Sequence, residues 1–503
     1  MKILFVYPEF EKGGFKPMNI SLLSGVLNKD KHSLRLFDTS MYEIPISGRV
    51  NDVSVAEELL IYPPTELPSI ANKRINKRFD VAFIETLNEY EPELVAFSTT
   101  TIPYVIVENL VKAIDLKNRP ALAIGGIHAL ACTKEVVDSR LFDYICIGEG
   151  EEAISGIVEH IAGNRASKDI PNVIVKENGE YVQNKILPLL TNLDELPYYD
   201  WSIYEEYHFW RPYQGTAYRM GDFMSSRGCS YKCLFCFYDT YFEFYEDEKR
   251  IRYYSPERCI SEMDELTKRY NLTFWKFHDS DFFLRSEEKL GELLELYNTR
   301  IDLPFVCNTN ANTVTNKKVA LFNNANCKSV SMGVESGSER IRNEVLNKRV
   351  KNEKIIESIA LLKDAGIRVC TSNMLGLPDE TEDDIRETIQ LNRNAAPTLA
   401  EPTYFYPFRG TKLGDLCYEK GYVKEHKGNL LNLRNHCVIE MPQISLDTLN
   451  GLFRTFPLYM NLPKWLDPII RLAENHDNVG NKVYRTLHQI VQNKINECLN
   501  ENQ

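Results

Sequence analysis

Short apolar runs recur along the first part of the chain, at Ile3–Tyr7, Leu34–Phe37, Leu94–Phe97, Ala121–Ile124 and Tyr144–Ile147. Amphipathic stretches with helical spacing separate them, for example Val105–Ile114 and Ala153–Ile161. Continuous apolar strands joined by helical crossovers predict a parallel, doubly wound sheet with helices on both faces. Ligands of such sheets bind beyond the carboxyl ends of the strands. Those ends are small and polar here: Pro8, Ser98-Thr99-Thr100-Thr101, Gly125-Gly126-Ile127-His128 and Gly148-Glu149-Gly150-Glu151. Val173–Val182 reads as a hairpin turning at Asn178-Gly179, a dipeptide that accepts positive φ. A stretch rich in Pro, Asp and Tyr from Leu189 to about Arg211 reads as a linker.

A second alternation follows, with strand candidates Phe223–Ser225, Phe274–Phe277, Phe305–Asn308, Ser329–Val334, Arg368–Asn373 and Thr403–Tyr406. Helical patterns lie between them at Pro256–Tyr270, Lys351–Ala365 and Glu382–Ala395. Thr381 and Asp384 stand three apart at the start of the last, as a capping pair does. Six such units predict an open, partial (β/α)6 barrel with its site at the strand C-termini. The remainder reads as helical. The expected organisation is 1–170, 171–214 (hairpin and linker), 215–411 (partial barrel) and 412–503 (helical).

Composition narrows the function classes. The chain of 503 residues is 43% hydrophobic and carries a net charge of −12, from 59 basic and 71 acidic residues. That balance disfavours a nucleic-acid partner. No apolar run approaches the roughly 18 residues of a membrane span, and the first residues lack a signal-peptide pattern. A cytoplasmic location is therefore expected, in which the 12 cysteines are free, ligating or catalytic rather than disulfide-bonded.

The densest chemistry is Ser226-Arg227-Gly228-Cys229-Ser230-Tyr231-Lys232-Cys233-Leu234-Phe235-Cys236, placed after the first barrel strand. Thiolates select soft metals and iron–sulfur clusters. Three thiolates on a four-iron cluster leave one iron open to a small molecule. The alternative is a structural zinc site, which needs four closed ligands; no second Cys-x-x-Cys or His-x-x-x-His pair occurs.

Cys-x-x-x-Cys-x-aromatic-Cys after the first strand of a partial barrel resembles the radical S-adenosylmethionine (SAM) superfamily. The resemblance implies a 4Fe-4S cluster on Cys229, Cys233 and Cys236, with SAM chelated to the open iron and Phe235 near its adenine. It implies further SAM contacts from Asp281 in His278-Asp279-Ser280-Asp281-Phe282, Glu335 in Gly333-Val334-Glu335-Ser336-Gly337, and Gly376 in Gly376-Leu377-Pro378-Asp379-Glu380-Thr381. Strand-end turns and helix caps would account for some of the same residues. Asp379 stands where relatives usually have glycine, and Arg409 where they often have proline or glycine.

Ser98, Thr99 and Thr100, then Gly125, Gly126 and His128, then Gly148 and Glu149 resemble the cobalamin-binding domain that precedes the barrel in one radical SAM subfamily. The first domain is thus expected to be a cobalamin-binding-like Rossmann fold. Asp30-Lys31-His32 is the sole Asp-x-His, with Arg35 where the axial-ligand motif has glycine. Cobalamin would therefore lack that histidine ligand. Gly148-x-Gly150-x-x-Ala153 also fits a dinucleotide fingerprint. Glu149, Glu151 and Glu152 would oppose a pyrophosphate there.

The resemblance implies a cobalamin-dependent methyltransferase acting on an unactivated carbon, or phosphorus, of a small-molecule substrate. Its electron donor would be a flavodoxin or ferredoxin. The alternatives are a radical SAM cyclase, rearranging or oxidising enzyme of the same architecture, and a non-catalytic iron–sulfur or zinc-binding protein.

Overall fold

The computed structural model describes residues 1–10, 16–27, 32–45, 65–71, 74–115, 119–245, 250–322, 324–423 and 437–500. Asp30 and Lys31 of the Asp-x-His triplet lie outside them. The chain forms two compact units. The first draws on Met1–Ser47, Pro68–Trp210 and Thr240–Tyr253, and the second on the rest.

The first unit is built on β1 (Lys2–Tyr7), β2 (Ser33–Asp38), β3 (Leu94–Ser98), β4 (Ala121–Gly125) and β5 (Tyr144–Cys146), followed by the hairpin β6 (Val173–Glu177) and β7 (Glu180–Gln183). Their order across the sheet is β2-β1-β3-β4-β5-β6-β7. The first five run parallel; the apolar runs of β1, β3, β4 and β5 are largely buried, as expected of strands covered on both faces, while the edge strand β2 is buried only toward its end. The hairpin adds antiparallel to β5. Asn178 and Gly179 turn it with φ of 50° and 86°, the mirror-image turn that matches strand twist. Strand order reverses between β1 and β3, so the crevice of this sheet opens at the carboxyl ends of those two strands.

The second unit contains β8 (Trp210–Tyr213), β9 (Thr216–Phe223), the short β10 (Ser226–Gly228), and, after β11 (Ile251–Tyr253) of the first unit, β12 (Phe274–Phe277), β13 (Phe305–Thr309), β14 (Cys327–Glu335), β15 (Arg368–Leu375) and β16 (Leu399–Tyr404). The order β16-β15-β14-β13-β12-β9-β8, parallel from β9 to β16, makes the open half-barrel. Two strands begin more than two residues ahead of the sequence expectation, β9 and β16. β9 starts at Thr216 because its first half is only part-buried and carries no apolar run; β8 and β9 join through Gln214 and Gly215, at φ 50° and 77°. β16 starts at Leu399 and runs through Pro402, which an edge strand tolerates because one side has no partner to receive an N–H.

Helix ends follow their capping signals. Helix Pro256–Tyr270 has Ser255 accepting from the Arg258 N–H at 3.2 Å and proline in its first turn. Helix Glu382–Ala395 has the reciprocal Thr381–Asp384 box. The C-terminal helices share one apolar core with the last barrel strands: Leu375, Leu377 and Tyr404 cluster with Leu449, Leu452, Phe453 and Phe456. The rings of Tyr404 and Phe453 stack at 3.9 Å.

Gly337 is fixed by close approach. A Cβ there would stand 2.4 Å from both the Glu387 carbonyl oxygen and Thr388 Cα, while its N–H donates to Thr388 Oγ1 at 2.7 Å. Gly337→Ala is expected to lower stability by about 2 kcal/mol, the scale of overpacking, read as a lower urea midpoint at unchanged slope. An unchanged midpoint would show that the loop and helix separate freely.

Candidate functional site

The cysteine loop leaves the carboxyl end of β9 and is anchored at its root by a buried carboxylate. Asp279, fully buried, accepts from the Ser225 N–H at 3.0 Å, Ser225 Oγ at 2.7 Å and Ser226 Oγ at 2.5 Å. Arg285 closes the network, 3.3 Å from Asp279 and 2.7 Å from the Ser225 carbonyl. Further along, the Leu234 N–H donates to Leu346 O at 3.1 Å and the Leu413 N–H to Leu234 O at 2.9 Å. Asn347 donates to Lys232 O at 2.8 Å. Cys229, Cys233 and Cys236 are free and half-buried.

Burial pushes all three thiols up, Cys233 to about 12; Cys229 and Cys233 also feel the neighbouring cysteines, and Cys236 the Glu335 carboxylate. Without metal they are thiols at neutral pH; coordination would expel their protons. The ammonium opposing this rise belongs to Lys348, which sequence reasoning missed. It lies in a loop after β14, in no recognisable motif, and pairs with Glu335 at 2.7 Å and Gly333 O at 2.6 Å.

The expected SAM residues stand in different settings. Glu335 closes β14 at φ 69°, in the left-handed region, where the register with β15 shifts; its carboxylate faces Lys348. Asp281 caps the short helical turn Phe282–Leu284 and accepts from Thr313 at 3.0 Å and Thr309 at 3.3 Å. Burial raises it to about 6. Phe235 packs, part-buried, on the core shared with the C-terminal helices. Gly376 has φ 81° and donates its N–H to Glu380 at 2.7 Å, as Leu377 does at 3.1 Å. Burial raises Glu380 to about 8. Asp379 takes φ 59°, the conformation its glycine counterpart would supply; Asp tolerates it better than most residues. Lys420 at 3.0 Å and Tyr422 at 3.2 Å hold its carboxylate. The Arg409 guanidinium lies 3.5 Å from the Tyr418 ring.

On the half-barrel strands, Arg211 grips Asp222 through both terminal guanidinium nitrogens. Asp222 in turn meets His278 Nε2 at 2.7 Å. Burial holds the neighbouring Lys276 down to about 8. His278 stood in a recognised motif. Arg211, Asp222 and Lys276 did not, since a single polar residue in an apolar strand signals nothing until its neighbours are known.

In the first unit the resemblance residues gather at adjoining strand ends. Ser98 Oγ accepts from Asn19 Nδ2, Thr99 is buried and Thr100 exposed. Gly126 is exposed with φ 97°, and a Cβ there would meet the Thr99 carbonyl oxygen at 2.6 Å, so two strand ends press together and only glycine fits. Gly125 has room for a side chain. Gly148 is crowded by Asn172 at 2.8 Å. Glu149 is tied up within the unit: both oxygens receive Arg252, at 2.9 and 3.0 Å, and one also receives the Leu190 N–H at 3.0 Å. His128 is buried against the Tyr104 ring at 3.9 Å, with neither ring nitrogen hydrogen-bonded, and burial lowers it to about 4. The exposed Thr100, Gly126 and Ile127 leave an open, small-residue edge there, which fits a large ligand laid across strand ends.

Residues 223–391 match the model of the radical SAM superfamily, and residues 72–158 match the B12 binding domain. The chain therefore carries a radical SAM domain with a B12 binding domain ahead of it, and is a radical SAM enzyme. Radical SAM domains work with a 4Fe-4S cluster and SAM, and the domain ahead of it implies cobalamin. Among curated proteins it is similar to an uncharacterized methyltransferase of Pyrococcus horikoshii, 26% identical over 70% of this chain and 77% of that one. It is also similar to the anaerobic magnesium-protoporphyrin IX monomethyl ester cyclase of Cereibacter sphaeroides, 25% identical over 82% of this chain and 63% of that one. Among solved structures it shares the fold of the radical SAM methyltransferase TsrM from Kitasatospora setae, solved with cobalamin and a [4Fe-4S] cluster, at TM-score 0.65 and 14% identity over 99% of both chains. No described helix is long and apolar enough to cross a membrane.

The anchoring network makes its own prediction. Asp279→Asn keeps the shape but removes the charge that balances Arg285, so the loop root loosens. Reconstituted protein should hold less iron than wild type with all three cysteines in place and an unchanged far-ultraviolet circular dichroism spectrum. Equal iron retention would show that the loop is positioned from elsewhere.

Proposed function

We propose that the protein is a cobalamin-dependent radical SAM methyltransferase acting on an unactivated carbon, or phosphorus, of a small molecule. One observation carries the reading: the cysteine loop at the carboxyl end of β9 stands in a radical SAM domain that a B12 binding domain precedes in the same chain. When bound, the cluster and SAM supply one-electron bond cleavage and cobalamin supplies a methyl carrier. Cys229, Cys233 and Cys236 are the thiolates for three irons. Asp279 and Arg285 hold their loop, and Lys348 sets a positive charge beside it. Glu335, engaged with Lys348 at 2.7 Å, would take an ammonium or ribose hydroxyl by sharing that carboxylate. Ser98, Thr99, Thr100, Gly125, Gly126, His128, Gly148 and Glu149 frame the edge for cobalamin, with Glu149 acting through the geometry that Arg252 fixes. A low-potential donor such as flavodoxin or ferredoxin is the expected source of electrons, and the cytoplasm the expected location.

A second reading, cyclisation by the same architecture, is favoured by the similarity to the ester cyclase. Methyl transfer and cyclisation differ in what they do with SAM. Incubation with SAM deuterated in its methyl group and a cell extract should yield a deuteromethylated product and S-adenosylhomocysteine. Hydroxocobalamin should bind the wild type with a spectrum lacking histidine coordination; a protein that never binds it moves to the cyclase reading.

Anaerobic reconstitution should give about four irons per chain, and replacing all three cysteines by alanine should remove them. With dithionite, the wild type should form 5′-deoxyadenosine. Glu335→Gln should slow this about tenfold, the worth of one charge-assisted hydrogen bond. An intact cluster that never yields 5′-deoxyadenosine would overturn the assignment.

A further inference from the structure

His128 poses a problem that the cobalamin reading does not solve. Its side chain is buried, with 2% of the residue exposed, and both ring nitrogens lack a hydrogen-bond partner. A buried imidazole with neither nitrogen satisfied is costly, and such a group asks for a partner, a metal ion among the candidates. What stands beside it supplies one. His128 lies on the short helix Ile127–Ala131, Cys132 follows directly, and Glu135 is in the first turn of helix Thr133–Ser139. Cys132 itself leaves helical geometry, at φ −116° and ψ 36°, but its N–H donates to His128 O at 2.8 Å and the Val136 N–H to Cys132 O at 3.1 Å, so four-residue hydrogen bonds bridge the junction. Spacings of four and then three residues place all three side chains on one face.

The ligand atoms of these three residues all lie within 4.8 Å of one another, as a single ion needs. We propose that His128, Cys132 and Glu135 form a mononuclear site for a borderline-soft divalent cation of the zinc class, separate from the cysteine loop. Imidazole, thiolate and carboxylate are the three donors zinc takes. One thiolate and one carboxylate balance its two positive charges, so the site as a whole becomes neutral on binding. Cys132 and His128 are buried and Glu135 is exposed, which leaves the fourth position to water or a ligand on the outer side. The ion would also staple together helices of five and seven residues, each too short to hold its own turn, at the carboxyl end of β4. The inference does not depend on methyl transfer or on cobalamin.

The test uses the full-length chain, stripped with a chelator and offered zinc. Elemental analysis should find about one zinc per chain in the wild type and the same amount in the Cys229/Cys233/Cys236→Ala protein. Cys132→Ser and His128→Asn should lose it without losing iron from the reconstituted cluster. Those two side chains are buried, so Glu135→Gln, an exposed change, guards against misfolding: it should weaken zinc by at least about tenfold in calorimetry. Wild type that takes up no zinc would overturn the proposal. So would zinc that vanishes with the loop cysteines, or that Glu135→Gln leaves at wild-type affinity. Failure here leaves 5′-deoxyadenosine formation untouched, so the two assignments fall separately.

Discussion

A carboxylate with no access to water holds the second unit's chemistry in place. Asp279 ends the stretch after β12, yet nearly all its hydrogen bonds go to the residues that follow β9. Removing one charge from water is expensive unless its partners are complete, and here two hydroxyls, one N–H and Arg285 complete them. The consequence is geometric. Two neighbouring parallel strands are made to finish at a common level, and the loop carrying Cys229, Cys233 and Cys236 starts from a fixed point. Without that anchor the loop would keep its later holds at Lys232 and Leu234 but lose the fixed point from which it starts.

The site is thus held by residues that do no chemistry themselves. Lys348 faces the thiols because Glu335 and the Gly333 carbonyl take its ammonium, and Glu335 can face Lys348 because it accepts a left-handed φ. Gly376 points its N–H at Glu380, whose carboxyl burial keeps high. The same division holds in the first unit. Glu149 is spent on Arg252 and Leu190, and Gly126 is glycine because Thr99 leaves no room for a Cβ. These constraints explain part of the motif without any ligand, and they shape the edge on which a ligand would lie.

Much of this could be read from the chain. Strands β1, β3, β4 and β5 were legible because strands buried on both faces are written as unbroken apolar runs, and helix Glu382–Ala395 because its capping pair is a chemical signal. The cysteine loop was legible because its spacing has few other uses. The Gln214-Gly215 turn was not, since glutamine seldom takes positive φ. The beginning of β16 was hidden by Pro402, and Lys348 by its lack of any local pattern. Ion pairs such as Lys348 with Glu335 join residues whose proximity only the sheet creates.

The core beneath the Gly376 loop contains side chains from the last helices, and Leu234 and Phe235 of the cysteine loop rest against it. During synthesis those helices leave the ribosome after the barrel strands, and domains fold as units once their sequence is out. A nascent chain with its barrel strands already exposed would still lack Leu449, Phe453 and Phe456, and its cysteine loop would have no floor. A cluster bound to that loop therefore depends on packing supplied by residues more than 200 positions further along the chain.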